Sequence, residues 1–128
     1  MKWLTALALL SLGFAMAGEP AKTTLTGSYV WNHIPNEPGN LKAVFTPKGE
    51  KTYDVAFYFK FDGVNHVYSG TATGSLEDGN LEGKVKNENK RRTFTFSGTC
   101  KKGSFSGVHS EIGRSGEKKT GTLTLAAK

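Results

Sequence analysis

The chain predicts an all-β fold, an antiparallel up-and-down meander of about eight strands that closes or nearly closes into a barrel. Three observations carry that expectation. From Thr52 to Asp62, residues Tyr53, Val55, Phe57, Phe59 and Phe61 take every second position, with Asp54, Lys60 and Asp62 between them. This is the period of a strand with one buried face, and a helix would scatter the same rings around its circumference. Short alternating runs recur down the chain, separated by Gly, Asn, Asp and Pro turn signals. After residue 17 no stretch places apolar residues at helical spacing.

Taken in order, Met1 to Ala17 has the make-up of a secretory signal: a lysine at position 2, an apolar run from Leu4 to Phe14, and Ala15-Met16-Ala17 with small residues at −3 and −1. Cleavage is expected before Gly18, leaving residues 18–128 as one barrel domain in the periplasm or outside the cell. The apolar run is well short of the roughly 20 residues a membrane span needs. Thr24 to Asn32 alternates Leu25, Gly27, Tyr29 and Trp31 against threonine and serine, a first strand with an aromatic inner face. His33 to Gly39 holds two prolines and a glycine and is expected to be the longest ordered loop. Asn40 to Pro47 points Leu41, Ala43 and Phe45 inward, and Pro47 to Glu50 turns into the aromatic strand.

Asp62-Gly63 marks a tight hairpin turn. In Val64 to Tyr68 the alternation is ambiguous, since His66 and Tyr68 share one face and Val67 takes the other, so a bulge or bend is expected before the strand continues to Leu76. Leu81 to Lys86, Arg91 to Cys100, Ser104 to Ile112 and Lys118 to Ala126 complete the set, joined by turns at Glu77 to Asn80, Asn87 to Lys90, Lys101 to Gly103 and Gly113 to Glu117. Glycines within these strands suit the sharp bends of a small closed barrel.

Composition narrows the function. Lys and Arg number 17 against 11 Asp and Glu, a formal net charge of +6 that favours polyanions over cations as casual partners. Cys100 is the single cysteine, so no intrachain disulfide forms. It shares parity with Phe94, Phe96 and Gly98, which points to a buried thiol. His33, His66 and His109 fall on separate elements without metal-ligand spacing, and no nucleophile elbow or phosphate loop is present. The chain is therefore expected to be no enzyme and to carry no cofactor or metal. Stacking of nucleic acid on Phe57 and Phe59 is disfavoured, because export and burial both remove those rings from such a partner.

The opening Leu25-Thr26-Gly27-Ser28-Tyr29, followed by a meander of about eight strands, resembles the calycin group, the lipocalins and avidins. Tyr29 stands where that group has tryptophan, and Trp31 follows two residues later. The resemblance implies an up-and-down barrel that binds a small molecule in its cup, with this strand plugging the closed end. It implies nothing about which ligand.

Two candidate sites follow. The inward rings either fill the barrel as a packed core or line a pocket, with Tyr29, Trp31, Phe57, Phe59 and Tyr68 as the wall for a small apolar or amphipathic molecule. Buried phenols and indoles want a polar partner, which a ligand or the backbone supplies. In a meander alternate turns share one end, so Lys90, Arg91, Arg92, Arg114, Lys118 and Lys119 gather on one rim. From this rim Arg91, Arg92, Arg114 and Lys118 form a candidate site for an anionic glycan or lipid head group, so that the chain is alternatively an interaction module for an envelope polyanion or a protein partner. Glu37, Asp62, Glu88 and Glu117 lie on the same rim and oppose it.

Overall fold

The structure is a computed structural model and describes residues 21–87, 89 and 91–127. The expected signal segment, Glu88 and Lys90 lie outside the described residues. Eight antiparallel strands run in chain order around a closed barrel: β1 (Thr23–Trp31), β2 (Ile34–Gly49), β3 (Thr52–Phe61), β4 (Val64–Gly74), β5 (Gly79–Asn87), β6 (Arg92–Lys101), β7 (Ser104–Gly113) and β8 (Gly116–Ala126). β8 closes on β1 with Thr26 opposite Ala126 and Trp31 opposite Gly121. Closure leaves no sheet edge open to pair with another chain. The expected all-β meander is the fold observed, and no helix is found among the described residues.

Side-chain parity builds the interior as anticipated. Leu25 and Tyr29 of β1, Leu41, Ala43 and Phe45 of β2, Val55 and Phe57 of β3, Tyr68 and Ala72 of β4, Leu81 and Val85 of β5, Phe96 and Cys100 of β6, Phe105 of β7, and Leu123 and Leu125 of β8 form one buried cluster. The other face of each strand is mostly polar, so a one-residue slip would turn the apolar set to water, and this fixes the register. Hairpin turns follow the residues: Asp62 and Gly63 both have positive φ, at 57° and 79°, as do Lys102 and Gly103 at 51° and 83°. That pair of conformations matches the right-handed strand twist of a two-residue hairpin.

The structure departs from expectation at several places. The segment His33 to Gly39 is not a loop: only Asn32 and His33 turn, and β2 already begins at Ile34. Its prolines fit because the β1–β2 register jumps from Trp31 opposite Ile34 to Tyr29 opposite Gly39, so Pro35 and Pro38 have no ladder partner on β1 to disappoint. No bulge interrupts Val64 to Tyr68, whose pairing with β3 runs unbroken from Phe61 opposite Val64 to Thr52 opposite Thr73. Val67 simply faces outward and is 49% exposed. β4 ends at Gly74, not Leu76, because Gly74 takes φ 126° and the Ser75 hydroxyl accepts from the Glu77 and Asp78 amides at 3.1 and 3.0 Å, turning the chain. The turn expected at Pro47 to Glu50 sits at Glu50-Lys51, where Lys51 takes the positive φ.

The two ends of the barrel differ. At one end the turns are laced together: the Gly74 amide donates to the Lys51 carbonyl at 3.0 Å, the Gly103 amide to the Glu77 carbonyl at 3.0 Å, and the Lys102 amide to the Asp78 carboxylate at 3.0 Å. Leu76 is buried beneath this lacing with Phe45, Leu81, Cys100, Phe105 and Leu125 in the core. The β1–β2, β3–β4, β5–β6 and β7–β8 turns form the other end, which is open.

Candidate ligand pocket

A cavity of about 330 Å³ opens at that second end. All five residues expected to form a pocket wall line it: Tyr29 and Trp31 from β1, Phe57 and Phe59 from β3, and Tyr68 from β4. Phe61, Phe94 and Phe96 add further rings, and Leu41, Val85 and Leu123 floor it with aliphatic carbon. Phe61, expected to be buried, is 44% exposed, because β3 reaches the rim there and its last inward position overhangs the opening. β1 runs toward the open end, so Tyr29 and Trp31 stand in the cavity wall, while Leu25 and Gly27, earlier on the strand, do not line it.

The rings hold one another in a continuous network. Tyr29 meets Phe59 edge-on at 5.2 Å between centroids, and Phe59 stacks against both His66 at 5.4 Å and Tyr68 at 5.6 Å. Trp31 meets Phe94 at 5.7 Å and His109 at 5.2 Å, both edge-on. Such pairs contribute about 0.5–1.5 kcal/mol each beyond the area they bury, so the wall is largely pre-formed. Burial pushes the Tyr29 phenol above its ordinary pKa. Tyr68 is raised mainly by burial, with Arg92 pulling down and Glu111 pushing up, so both phenols stay protonated at neutral pH.

The structure adds Arg92 to the site. It shares parity with Phe94 and Phe96 along β6, so its stem points into the barrel mouth, where it lines the cavity. Its guanidinium lies 5.1 Å from the centre of the Phe94 ring and 5.9 Å from that of Trp31. Nε and Nη2 donate to the two Glu111 oxygens, each at 2.9 Å. That bidentate pair raises the arginine pKa further and holds the Glu111 carboxyl below its usual range. Nothing in the sequence around Glu111 marks it for this role; its place opposite Phe94 in the β6–β7 register brings it within reach of Arg92. Arg92 remains exposed at the rim, as are Arg91, Arg114, Lys118 and Lys119, but of these it alone lines the cavity.

Three histidines that look isolated in the chain also meet around this cavity, His33, His66 and His109. The strand parity of His66 with Tyr68, and of His109 with Phe105, is the one signal of this in the sequence. His109 is buried, and burial lowers its pKa, against a smaller opposing effect of its bond to Val30. Nε2 donates to the Val30 carbonyl at 3.0 Å, since a carbonyl only accepts. Nδ1 lies 2.7 Å from the Thr120 hydroxyl, which is also 3.0 Å from the His109 carbonyl. Gly121 makes this possible: a Cβ there would stand 1.8 Å from the Val30 oxygen and 2.6 Å from His109 Nε2. Thr120 is not on the cavity wall. Among the described residues no three His, Cys, Asp or Glu side chains gather as a metal site. Cys100 is buried at the filled end, its thiol pKa raised by burial first and then by Glu77 and Asp78.

Comparison with protein-family models, curated proteins and solved structures finds no match to this chain. Its geometry therefore carries the functional reading. Among the described residues no helix is long and apolar enough to cross a membrane.

Proposed function

We propose that this chain is an exported, non-enzymatic binding protein, periplasmic or secreted, that holds a small apolar or amphipathic molecule in the barrel mouth. The observation that carries the reading is the asymmetry of the interior. One end is laced shut and filled, while the other keeps a ring-walled cavity of about 330 Å³, at the small end of the usual range for ligand sites. A barrel of eight strands is just wide enough for this. The calycin likeness of the first strand and of the strand count agrees with it. Chemistry finds little support, because the one hydroxyl bonded to a histidine among the described residues, that of Thr120, does not reach the cavity.

Native mass spectrometry of the protein purified from its own host tests the reading. An added mass present in the native spectrum and lost on denaturation is expected. A native mass equal to the bare chain, together with no uptake of an apolar dye, would overturn it.

A second reading rests on Arg91, Arg114, Lys118 and Lys119, all exposed at the open end. They form a surface for an anionic glycan or lipid head group. Reversing Arg91 and Arg114 to glutamate is expected to abolish retention on an anionic matrix while leaving the melting temperature within a few degrees; retention that persists would remove it.

A further inference from the structure

The polar groups of the cavity wall say more about the ligand than its apolar lining does. Two side chains there can only donate hydrogen bonds, Arg92 and Trp31. Among the described residues no carboxylate lines the cavity, and Glu111, the one carboxylate bonded to Arg92, is taken by that pairing. That pairing uses one edge of the guanidinium, Nε and Nη2, and leaves the Nη1 edge without a hydrogen-bond partner among the described residues. The Trp31 Nε1, buried in the wall, likewise has no partner, and among the described residues it is the one buried side-chain nitrogen or oxygen in that condition. A donor left unpaired on burial costs about 1–3 kcal/mol, so a bound molecule that covers the Nη1 edge of Arg92 and brings an acceptor to it gains where a plain hydrocarbon does not.

The apolar part of the wall has its own selectivity. It is built from flat rings in fixed mutual contact, with Phe59 stacked nearly parallel to both His66 and Tyr68, at 18° and 21°. Flexible chains gain little from such surfaces, whereas a flat ring meets them in offset-stacked or edge-on geometry. Glu111 holds the guanidinium in place over Phe94, so its open edge is presented without the entropy cost of ordering a free arginine.

Resting on the pocket reading above, we infer that the ligand is a small aromatic carboxylate: one or two flat rings seated among Tyr29, Phe59, Tyr68 and Phe94, its carboxylate on the open edge of Arg92. Glu111 is then a positioning residue that aims the arginine, and the exposed rim lysines and arginines are not needed for recognition.

Isothermal titration of the purified protein with three probes tests this, namely 2-naphthoate, its neutral counterpart 2-naphthalenemethanol, and decanoate. Naphthoate is expected to bind at least tenfold more tightly than either of the others. Arg92→Gln is expected to weaken naphthoate at least tenfold and to weaken the alcohol far less, and Arg92→Lys, which keeps charge but loses the planar fork, to fall between. Equal binding of naphthoate and the alcohol by the unaltered protein overturns the carboxylate assignment while the pocket stands. Decanoate binding as tightly as naphthoate overturns the aromatic one. If none of the three binds, the inference and the pocket reading fall together.

Discussion

At the scale of single residues, the side chains that matter here are those whose polar atoms went inside the barrel. His109 is held neutral by burial, against the smaller opposing effect of its bond to Val30, so its folded pKa lies below the ordinary histidine value of about 6.5. The unfolded chain then binds more protons than the folded one as pH falls through that value, and stability must drop with it. Urea unfolding from pH 7.5 to 5 is expected to show this loss, and His109→Gln to flatten the slope. Glu111 acts in the same sense but lower: its depressed pKa contributes stability above the usual carboxylate range, lost as pH falls through the lowered value. Because the Arg92–Glu111 pair is partly solvated, its removal is expected to cost under about 1 kcal/mol. Cys100 is 2% exposed with a raised pKa, so a thiol reagent is expected to label it in denaturant and not in the native protein. Parity along β6 is enough to mark this thiol as buried. The same parity points Arg92 inward, yet its neighbours Lys90 and Arg91 make it look like one more rim charge.

At the scale of the strand, alternation is legible in the sequence and interruptions are not. The aromatic strand, its Asp62-Gly63 turn and the inward set of β2 lie where the period of two places them. The segment from His33 to Gly39 misleads because proline argues against a strand only where a ladder needs its amide, and which residues lack a ladder partner is decided by the neighbouring strand. Val64 to Tyr68 invites a bulge only because an outward valine looks misplaced until its surroundings are known. Glycine content hints at tight curvature without saying where strands touch. Gly70 shows the demand plainly: a Cβ there would stand 1.9 Å from the Lys84 carbonyl oxygen on β5. Gly70→Ala is expected to destabilise by roughly 1–3 kcal/mol or more, read as a lower midpoint in guanidinium unfolding, because backbone cannot step aside as a side chain can.

At the scale of the whole molecule, the barrel divides its rings between two duties. Phe45 is fully buried toward the laced end, so Phe45→Ala is expected to cost about 3–5 kcal/mol in denaturant unfolding. Phe59 is only partly buried in the cavity wall, so Phe59→Ala is expected to cost clearly less and to lower the uptake of an apolar dye instead. Equal losses of stability at both positions would argue that the cavity wall is ordinary core. The sequence by itself determined the fold class, the meander order and the face to which each ring belongs, because those follow from a period of two and from turn chemistry acting over a few residues. Tertiary structure alone decided that the rings leave a cavity, that His33 of the β1–β2 turn and Phe61 at the end of β3 stand at its opening, and that Arg92 and three scattered histidines meet around it. Those outcomes depend on barrel closure, on the stagger between strands and on how volume is shared across the interior, and such sums over residues far apart in the chain leave no local mark on it.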